Sequence, residues 1–462
     1  MNVHDALFAM LPEHVLLAGL VLLLALEMLL DRPRIAAYVG LLAVAGALGA
    51  AVWLGASGFA AAPFAGAYAV DPSASAAKAI LLALGLPVLL MAPGDVGGFR
   101  FHALVVASLY GAVLLTGATS FLTLFLGLEL LSIPVYALVL VAFKRRESAE
   151  AALKYLILGG AASAMLLMGA ALLFGRTGSL GLDAFSGALG AEAPLAKAGV
   201  ALVVAALFLK AAIVPFHAWA PDVYEGASVP VTAYMATVVK AAVLFASLRL
   251  FGAAKVEAPF ADLLALLPLA SIVWGNLAAM RQPGFRRMIA YSSIAHAGYL
   301  FLAFLGQGPG RFPAIAFYAV AYGLLNLLAF AALPMTGDDA TRDRLDDLRG
   351  LFSRRPFAAV MIGLAMLSLA GIPPLPGFAA KFFIFESVMA AGFTLYAVLG
   401  LVGSYLGIYF YLRVIQLMFM SPAPAAVPAR GAPRPLALAA CALCLTGALI
   451  LSVTPGAVLG FF

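Results

Sequence analysis

Five ionisable side chains lie inside long apolar segments of the sequence, where a charge is costly. Lys210 and Lys240 stand about fourteen and twelve residues into their segments, which places each ~18–21 Å along a helix that rises 1.5 Å per residue. Glu129, Lys154 and Lys381 lie in three further apolar segments. A buried lysine can release its proton near neutral pH, whereas arginine stays protonated. These residues therefore predict a protein that moves protons across a membrane.

A static role is the alternative interpretation of the same residues. Lys154 lies four residues after Glu150 and close to the end of its segment, so these two could form an ion pair near the membrane surface. Lys210, Lys240 and Glu129 lie too deep for their charges to reach the surface easily, which favours a functional role.

His296 is the sixth candidate for the proton pathway. It lies on an apolar segment with Ser292, Ser293 and Tyr299 nearby. Histidine changes its charge near neutral pH, so His296 could shuttle protons, and a structural, hydrogen-bonded histidine is the other possibility. Further ionisable candidates in or next to apolar segments are His217, Glu27 and Glu386.

The composition shows which elements must position these residues. Apolar residues make up 65% of the 462 residues and charged residues 10%, whereas a soluble domain has about 25% charged residues. Apolar runs of membrane-spanning length recur along the whole chain. They lie at about 12–30, 35–56, 73–92, 102–119, 121–143, 149–174, 196–220, 228–251, 259–280, 286–305, 312–334, 357–391, 395–419 and 434–457. The sequence therefore predicts an all-α polytopic membrane protein of about fourteen transmembrane helices.

Two of these segments are interrupted by proline. Pro215 breaks segment 196–220, and Pro373, Pro374 and Pro376 break segment 357–391. Interrupted helices in both halves of a chain are typical of inverted-repeat transporters, whose working sites lie at the breaks.

The domain organisation follows from the positions of these breaks. We predict one transmembrane domain, 1–462, with inverted repeat halves at about 102–251 and 259–419. The flanking helices would occupy 12–92 and 434–457.

Lysine and arginine are concentrated in alternate loops, near 32–34, 100, 144–146, 281–287, 342–355 and 430–434. Basic loops face the cytoplasm, so we expect both termini to lie outside, in the periplasm. Frequent alanine, glycine and arginine further favour a bacterial inner (plasma) membrane as the location.

Several classes of function are disfavoured. The net charge of +6 is spread over short loops, which does not indicate nucleic-acid binding. The two cysteines, Cys441 and Cys444, are too few for an iron–sulfur cluster, and we interpret them as small apolar residues on one helical face. The usual glycine-rich nucleotide motifs are absent from the sequence. We therefore predict no bound cofactor and no metal.

Five stretches of the sequence resemble one family. They are 126–136 (LGLELLSIPVY), 150–155 (EAALKY), 210–226 (KAAIVPFHAWAPDVYEG), 286–296 (RRMIAYSSIAH) and 367–382 (LSLAGIPPLPGFAAKF). Together they resemble the proton-translocating, antiporter-like membrane subunits of respiratory complex I, NADH–quinone oxidoreductase. The first stretch and its spacing to PDVYEG are similar to the subunit N branch. The third proline of the second break, Pro376, departs from the family pattern.

The resemblance implies specific roles. Glu129 and Lys210 would form a pair, Lys154 and Lys240 would belong to a lysine chain, and Lys381 would be a lysine on the exit side. Other membrane-arm subunits would be the partners. Quinone reduction in those partners would drive the proton pathway, as part of an NADH:quinone oxidoreductase whose redox centres lie outside this chain.

Two other functions remain open at this stage. A cation/proton antiporter subunit of a multi-subunit exchanger would share the broken helices and would show sodium-dependent transport. A membrane scaffold without conduction would tolerate neutral residues in place of the deep lysines.

Overall fold

The computed structural model describes residues 3–29, 33–92, 98–141, 146–252, 254, 256, 260–307, 310–333, 343–423 and 435–459. In chain order the helices are α1 (Val3–Ala9), α2 (Leu11–Leu29), α3 (Pro33–Ala56), α4 (Pro72–Leu90), α5 (Gly98–Thr116), α6 (Phe121–Leu140), α7 (Arg146–Thr177), α8 (Asp183–Ala188), α9 (Pro194–Ala211), α10 (Trp219–Gly226), α11 (Val229–Tyr234), α12 (Lys240–Phe251), α13 (Phe260–Ala279), α14 (Phe285–Leu302), α15 (Arg311–Ala332), α16 (Leu351–Arg354), α17 (Pro356–Ala370), α18 (Pro376–Ala390), α19 (Thr394–Tyr405), α20 (Ile408–Met420), α21 (Pro435–Val453) and α22 (Pro455–Leu459).

Shorter elements complete the secondary structure. Strands β1 (Ala61–Phe64) and β2 (Tyr68–Val70) form an antiparallel hairpin between α3 and α4. A π-helical turn, Met235–Val239, joins α11 to α12, and 3-10 turns occupy Ala303–Leu305 and Leu345–Leu348. The sequence analysis did not anticipate the hairpin or the π turn.

Within the described residues, thirteen helical stretches are long and apolar enough to cross a membrane. One of them, Val229–Phe251, comprises α11, the π turn and α12, and another, Thr394–Met420, comprises α19 and α20. The broken pair α17–α18 occupies the remaining predicted segment. The prediction of an all-α polytopic protein with about fourteen transmembrane helices is confirmed.

Both predicted helix breaks are present. Helix α9 ends at Ala211, next to Ala212 with φ +62°, and the chain becomes helical again at α10. Helix α17 ends before Gly371, whose φ of +89° is the left-handed conformation that often closes a helix. The chain then forms turns over 371–375, which include Pro373 and Pro374, and α18 begins at Pro376, where a proline is tolerated in the first helical turn.

The chain divides into two compact units. Unit 1 comprises Met1–Ala211 and Val238–Phe260, and unit 2 comprises Ala212–Thr237 and Ala261–Phe462. The repeat halves 102–251 and 259–419, within one transmembrane domain 1–462, stay a prediction.

Glycine lets helices approach each other closely within unit 1. A Cβ at Gly111 on α5 would collide with the backbone nitrogen of Leu131 on α6. A Cβ at Gly169 on α7 would lie 2.8 Å from the carbonyl oxygen of Gly199 on α9. Small residues at such contacts are typical of helix pairs in lipid, where close packing drives association. This packing brings α6, α7 and α9 together around the first candidate site.

Helix α15 is deeply enclosed in unit 2. Within its most apolar 18-residue stretch, 94% of the residues are buried. The helix packs against α17, α18 and α21. Helix α14 is buried to the same extent. These two helices carry His296 and Tyr318, which belong to the second candidate site.

Candidate functional site

Glu129 and Lys210 form an ion pair inside unit 1. The Lys210 Nζ lies 3.6 Å from the Glu129 Oε1, and the side chains are 7% and 22% exposed. Lys210 donates a hydrogen bond of 3.1 Å to Ser132 Oγ, and Ser163 donates one to Glu129. Since the two charges share one small network, the protonation of either residue changes the energy of the other.

The position of Lys210 depends on the end of its helix. It is the second-last residue of α9, directly before the break at Ala212. In unit 2, the freed backbone N–H of Val214 donates to Ser271 Oγ at 2.8 Å. An interrupted helix leaves backbone groups that need such partners, and interrupted helices in membrane proteins are typically found next to ion sites.

Lys240 and Lys154 have contrasting surroundings in unit 1. Lys240 is 6% exposed and is the first residue of α12, immediately after the π turn. Single π turns occur frequently at functional sites. Lys154 pairs with Glu150 at 2.8 Å on the same helix, with side chains 41% and 61% exposed. The described geometry of Lys154 therefore matches the surface ion pair that the sequence analysis held open.

His296 lies between two tyrosines in unit 2. Tyr318 Oη is 2.7 Å from the Nδ1 of His296, and Tyr411 Oη is 3.0 Å from its Nε2. Tyr411 Oη is also 2.5 Å from Ser292 Oγ. A tyrosine hydroxyl both donates and accepts, so either tautomer of the imidazole is satisfied. A proton can therefore enter at one ring nitrogen and leave at the other.

Lys381 is held by the broken helix of unit 2. Its Nζ donates to the carbonyl oxygens of Leu369 (3.0 Å) and Ala370 (3.2 Å) and to Ser404 Oγ (2.9 Å). It also lies 5.4 Å from the centre of the Tyr299 ring. The two carbonyls belong to the last turn of α17, which has no further helical N–H to bind them. An ammonium group has three N–H donors, and all three have acceptors here.

The remaining candidates, Glu27, His217 and Glu386, lie at or near the protein surface. Glu27 pairs with Arg100 at 3.0 Å, and the Arg100 side chain is 83% exposed. Near His217, the acids Asp222 and Glu225 both bind Arg287, at 2.8 and 2.9 Å. These contacts favour structural ion pairs over proton carriers. A last candidate, Glu386, lines an open cavity of about 510 Å³.

The sequence analysis missed a second buried ion pair in unit 1. Lys78 Nζ on α4 lies 2.7 Å from Glu13 Oε1 on α2, with side chains 0% and 1% exposed. Tyr68 donates a hydrogen bond of 2.5 Å to the same Glu13 oxygen. The available signal was Lys78 itself, a lysine inside the apolar run 73–92.

Asp71 and Arg249 form a further ion pair close to this region, at 2.5 Å. Burial alone would raise the pKa of Asp71. The charge of Arg249 and hydrogen bonds from Ser73 and the Ala74 N–H outweigh burial and hold the pKa of Asp71 below its usual value. Asp71 also caps the start of α4 by accepting from the Ala74 N–H at 2.7 Å.

The part of the chain that the structure describes holds no group of three or more His, Cys, Asp or Glu residues that could bind a metal ion. Cys441 and Cys444 are both buried with free thiols on α21.

Comparison with known proteins identifies the family. The family described as "NADH:quinone oxidoreductase/Mrp antiporter, TM" matches residues 118–407. A relative from Pelobacter propionicus, named NADH-quinone oxidoreductase subunit N, is 36% identical over 420 residues, which covers 91% of this chain and 90% of the relative. The chain belongs to the NADH-quinone oxidoreductase subunit N family.

Solved structures agree with this assignment. A chain of respiratory complex I from Thermus thermophilus matches with a TM-score of 0.83 and 38% identity, over 97% of this chain and 98% of that one. A chain of the Mrp complex from Dietzia sp. matches with a TM-score of 0.86 and 22% identity, over 100% and 96%. The second match shows a shared fold. The resemblance predicted from the five sequence stretches is confirmed.

Proposed function

We propose that this chain is a proton-translocating membrane-arm subunit of a bacterial NADH–quinone oxidoreductase. The observation that carries the proposal is the ion pair of Glu129 and Lys210, buried in unit 1 directly before a helix break, in a chain of the subunit N family. NADH oxidation and quinone reduction take place in partner subunits, and this chain supplies a path for protons.

In unit 1, Glu129 controls the proton on Lys210. While the carboxylate lies 3.6 Å from the ammonium, their attraction keeps Lys210 protonated. When the pair separates, the cost of a buried unpaired charge favours release of the proton. Lys240, enclosed in the same unit, is the next carrier. Lys154 stays a candidate at the edge of this path, since its pair with Glu150 is partly exposed.

In unit 2, His296 and Lys381 are the carriers. His296 passes a proton between Tyr318 and Tyr411, which bind its two ring nitrogens. Lys381 receives the proton at the C-terminal end of α17, the negative end of a helix dipole, where two carbonyl oxygens accept hydrogen bonds from its ammonium group. Release to the outer side then requires Lys381 to leave these carbonyls.

The energy demand of this path is moderate. Moving one charge against 100 mV costs about 2.3 kcal/mol. Breaking a buried ion pair by removing one partner changes the energy by about 3–5 kcal/mol, so the switching of one pair is sufficient to drive one proton.

We further propose that both termini lie in the periplasm, because the loops rich in lysine and arginine should face the cytoplasm.

The test is purification of the native complex through a tag on this chain. NADH–quinone reductase activity should co-migrate with the chain, and NADH oxidation should acidify the interior of inverted vesicles to the same extent with or without sodium. A cation/proton antiporter would instead show sodium-dependent transport and no quinone reductase activity.

A further inference from the structure

Glu13 and Lys78 form the most completely buried ion pair of the described residues of unit 1. Their side chains are 1% and 0% exposed and their charged atoms lie 2.7 Å apart. By comparison, Glu129 and Lys210 are 22% and 7% exposed and 3.6 Å apart. Both Glu13 and Lys78 lie on membrane-spanning helices, where a buried charge is costly and usually has a function.

The pair leaves hydrogen-bonding capacity unused. Among the described residues, Glu13 Oε2 has no hydrogen-bond partner, and Lys78 Nζ makes no hydrogen bond of good geometry. The ring of Tyr68 lies 5.4 Å from Lys78 Nζ, and the Tyr68 hydroxyl donates to Glu13 Oε1. A pair that served only stability would gain little here, because the desolvation of two charges offsets most of their attraction.

Tyr68 is held firmly in this position. It belongs to β2 and also pairs with Ala118 in the turn between α5 and α6. Gly117 lies against its ring, and a Cβ at Gly117 would collide with the Tyr68 ring atoms. The hairpin backbone is fixed to the same turn by the bond from the Ala69 N–H to the Gly117 carbonyl, 2.9 Å.

A solvent-open cleft of about 810 Å³ reaches Tyr68. It lies in unit 1 and is lined by residues that include Ala62, Thr119, Leu180 and Arg249. Tyr68 is therefore both a wall of the cleft and the hydrogen-bond donor to the buried Glu13.

The charged and titratable groups around the pair belong to several elements. Tyr68 lies on β2, Tyr110 on α5 and Arg249 on α12, and all three interact electrostatically with Glu13 or with Tyr68. Arg249 pairs with Asp71, and Asp183 lines the cleft.

We propose that Glu13, Lys78 and Tyr68 form a proton-exchange site that is open to the outer solvent through this cleft. The inference rests on the proposed function and on the proposed periplasmic position of the termini, and it adds an outer-side proton site to unit 1. In the exchange step, a hydronium ion in the cleft gives a proton to the Tyr68 oxygen, and the Tyr68 O–H proton passes to Glu13. The Glu13 carboxylate becomes a carboxylic acid, one water is left in the cleft, and Lys78 stays protonated throughout. The reverse step releases a proton outward.

The decisive experiment is time-resolved infrared spectroscopy of the complete complex in proteoliposomes after a pH jump on the cleft side. Acidification should produce the band of a protonated carboxyl group. Glu13→Gln should remove this band and Glu13→Asp should shift it. Tyr68→Phe should keep the band but slow its appearance about 100-fold, because a positioned proton-transfer group typically contributes that much to the rate.

Two matched controls are available in the chain. Glu192→Gln removes an exposed carboxylate that pairs with Lys197 at 2.6 Å, and Tyr38→Phe removes the hydroxyl of a tyrosine that is 66% exposed. Both should leave the band and its rate unchanged. If Glu13→Gln prevents assembly by leaving Lys78 unpaired, Glu13→Asp and Tyr68→Phe still decide the question.

A band that is insensitive to Glu13→Asp, or an unchanged rate in Tyr68→Phe, would overturn the inference. The measurement needs no NADH, so its result is independent of pumping. A complex that shows the Glu13 band but does not pump would contradict the proposed function and leave the exchange site intact.

Discussion

Replacing Glu129 by glutamine tests the proposed mechanism at its most specific contact. The change removes one charge and keeps the size of the side chain. Coulomb's law at 3.6 Å, with an effective dielectric constant of about 20, gives an attraction to Lys210 of about 4–5 kcal/mol. Loss of that attraction changes the proton-binding equilibrium of Lys210 by about a thousandfold. The lost attraction of about 4–5 kcal/mol exceeds the roughly 2.3 kcal/mol needed to move a charge against 100 mV, so proton transfer through Lys210 should no longer be driven.

The assay is proton uptake per electron in inverted vesicles during NADH oxidation. Glu129→Gln should lower the proton-to-electron ratio, and Glu129→Asp, which keeps the charge at a greater distance, should retain part of it. Glu192→Gln is the matched control, because Glu192 also pairs with a lysine but is exposed. Partner-subunit levels establish that each variant assembles. An assembled Glu129→Gln complex with an undiminished ratio would refute the electrostatic control of Lys210.

Three further predictions concern Lys210, the membrane orientation and the ion pair of Asp71 with Arg249. Lys210→Arg keeps the charge but cannot release a proton, so the complex should assemble and lose much of its pumping; a normal proton-to-electron ratio would make Lys210 a static partner of Glu129. A cysteine at Ser179 should react with an impermeant thiol reagent from the periplasmic side, and labelling only from the cytoplasmic side would invert the topology. Asp71→Asn should lower the thermal stability of the complex at neutral pH. Because Arg249 helps to hold the pKa of Asp71 below its usual value of 3.8, the stability difference between the wild type and Asp71→Asn is present above about pH 4 and disappears as the pH falls through the lowered pKa. A stability difference that persists unchanged at lower pH would contradict this role of the Asp71 carboxylate.

The helices and their breaks could be predicted because the signals are local. Apolar runs of spanning length define the helices, and Pro215 and Pro373 mark the two interruptions. The hairpin of β1 and β2 could not be predicted, because two strands of four and three residues leave no readable alternation. The π turn, Met235–Val239, has no sequence signature of its own.

The candidate residues could be predicted individually, but their partners could not. Depth in an apolar segment pointed to Lys210 and Lys381, and only the resemblance to a family suggested that Lys210 meets Glu129. The tyrosines that bind His296 come from positions 22 and 115 residues away, a distance that no spacing rule covers. Glu13 lies in the apolar segment 12–30 and Lys78 in the segment 73–92, and no local spacing links the two residues.

The site of Lys381 has a consequence for genetic screens. Two of the three acceptors of its ammonium group are main-chain carbonyl oxygens, which no side-chain replacement can delete. An alanine scan of polar residues would therefore find Lys381 and Ser404 and overlook most of the site. The sensitive positions would instead be Gly371, Pro373 and Pro374, which end α17 and leave its last carbonyls without helical partners. Part of the binding site of the Lys381 ammonium group therefore depends on residues that carry no titratable group.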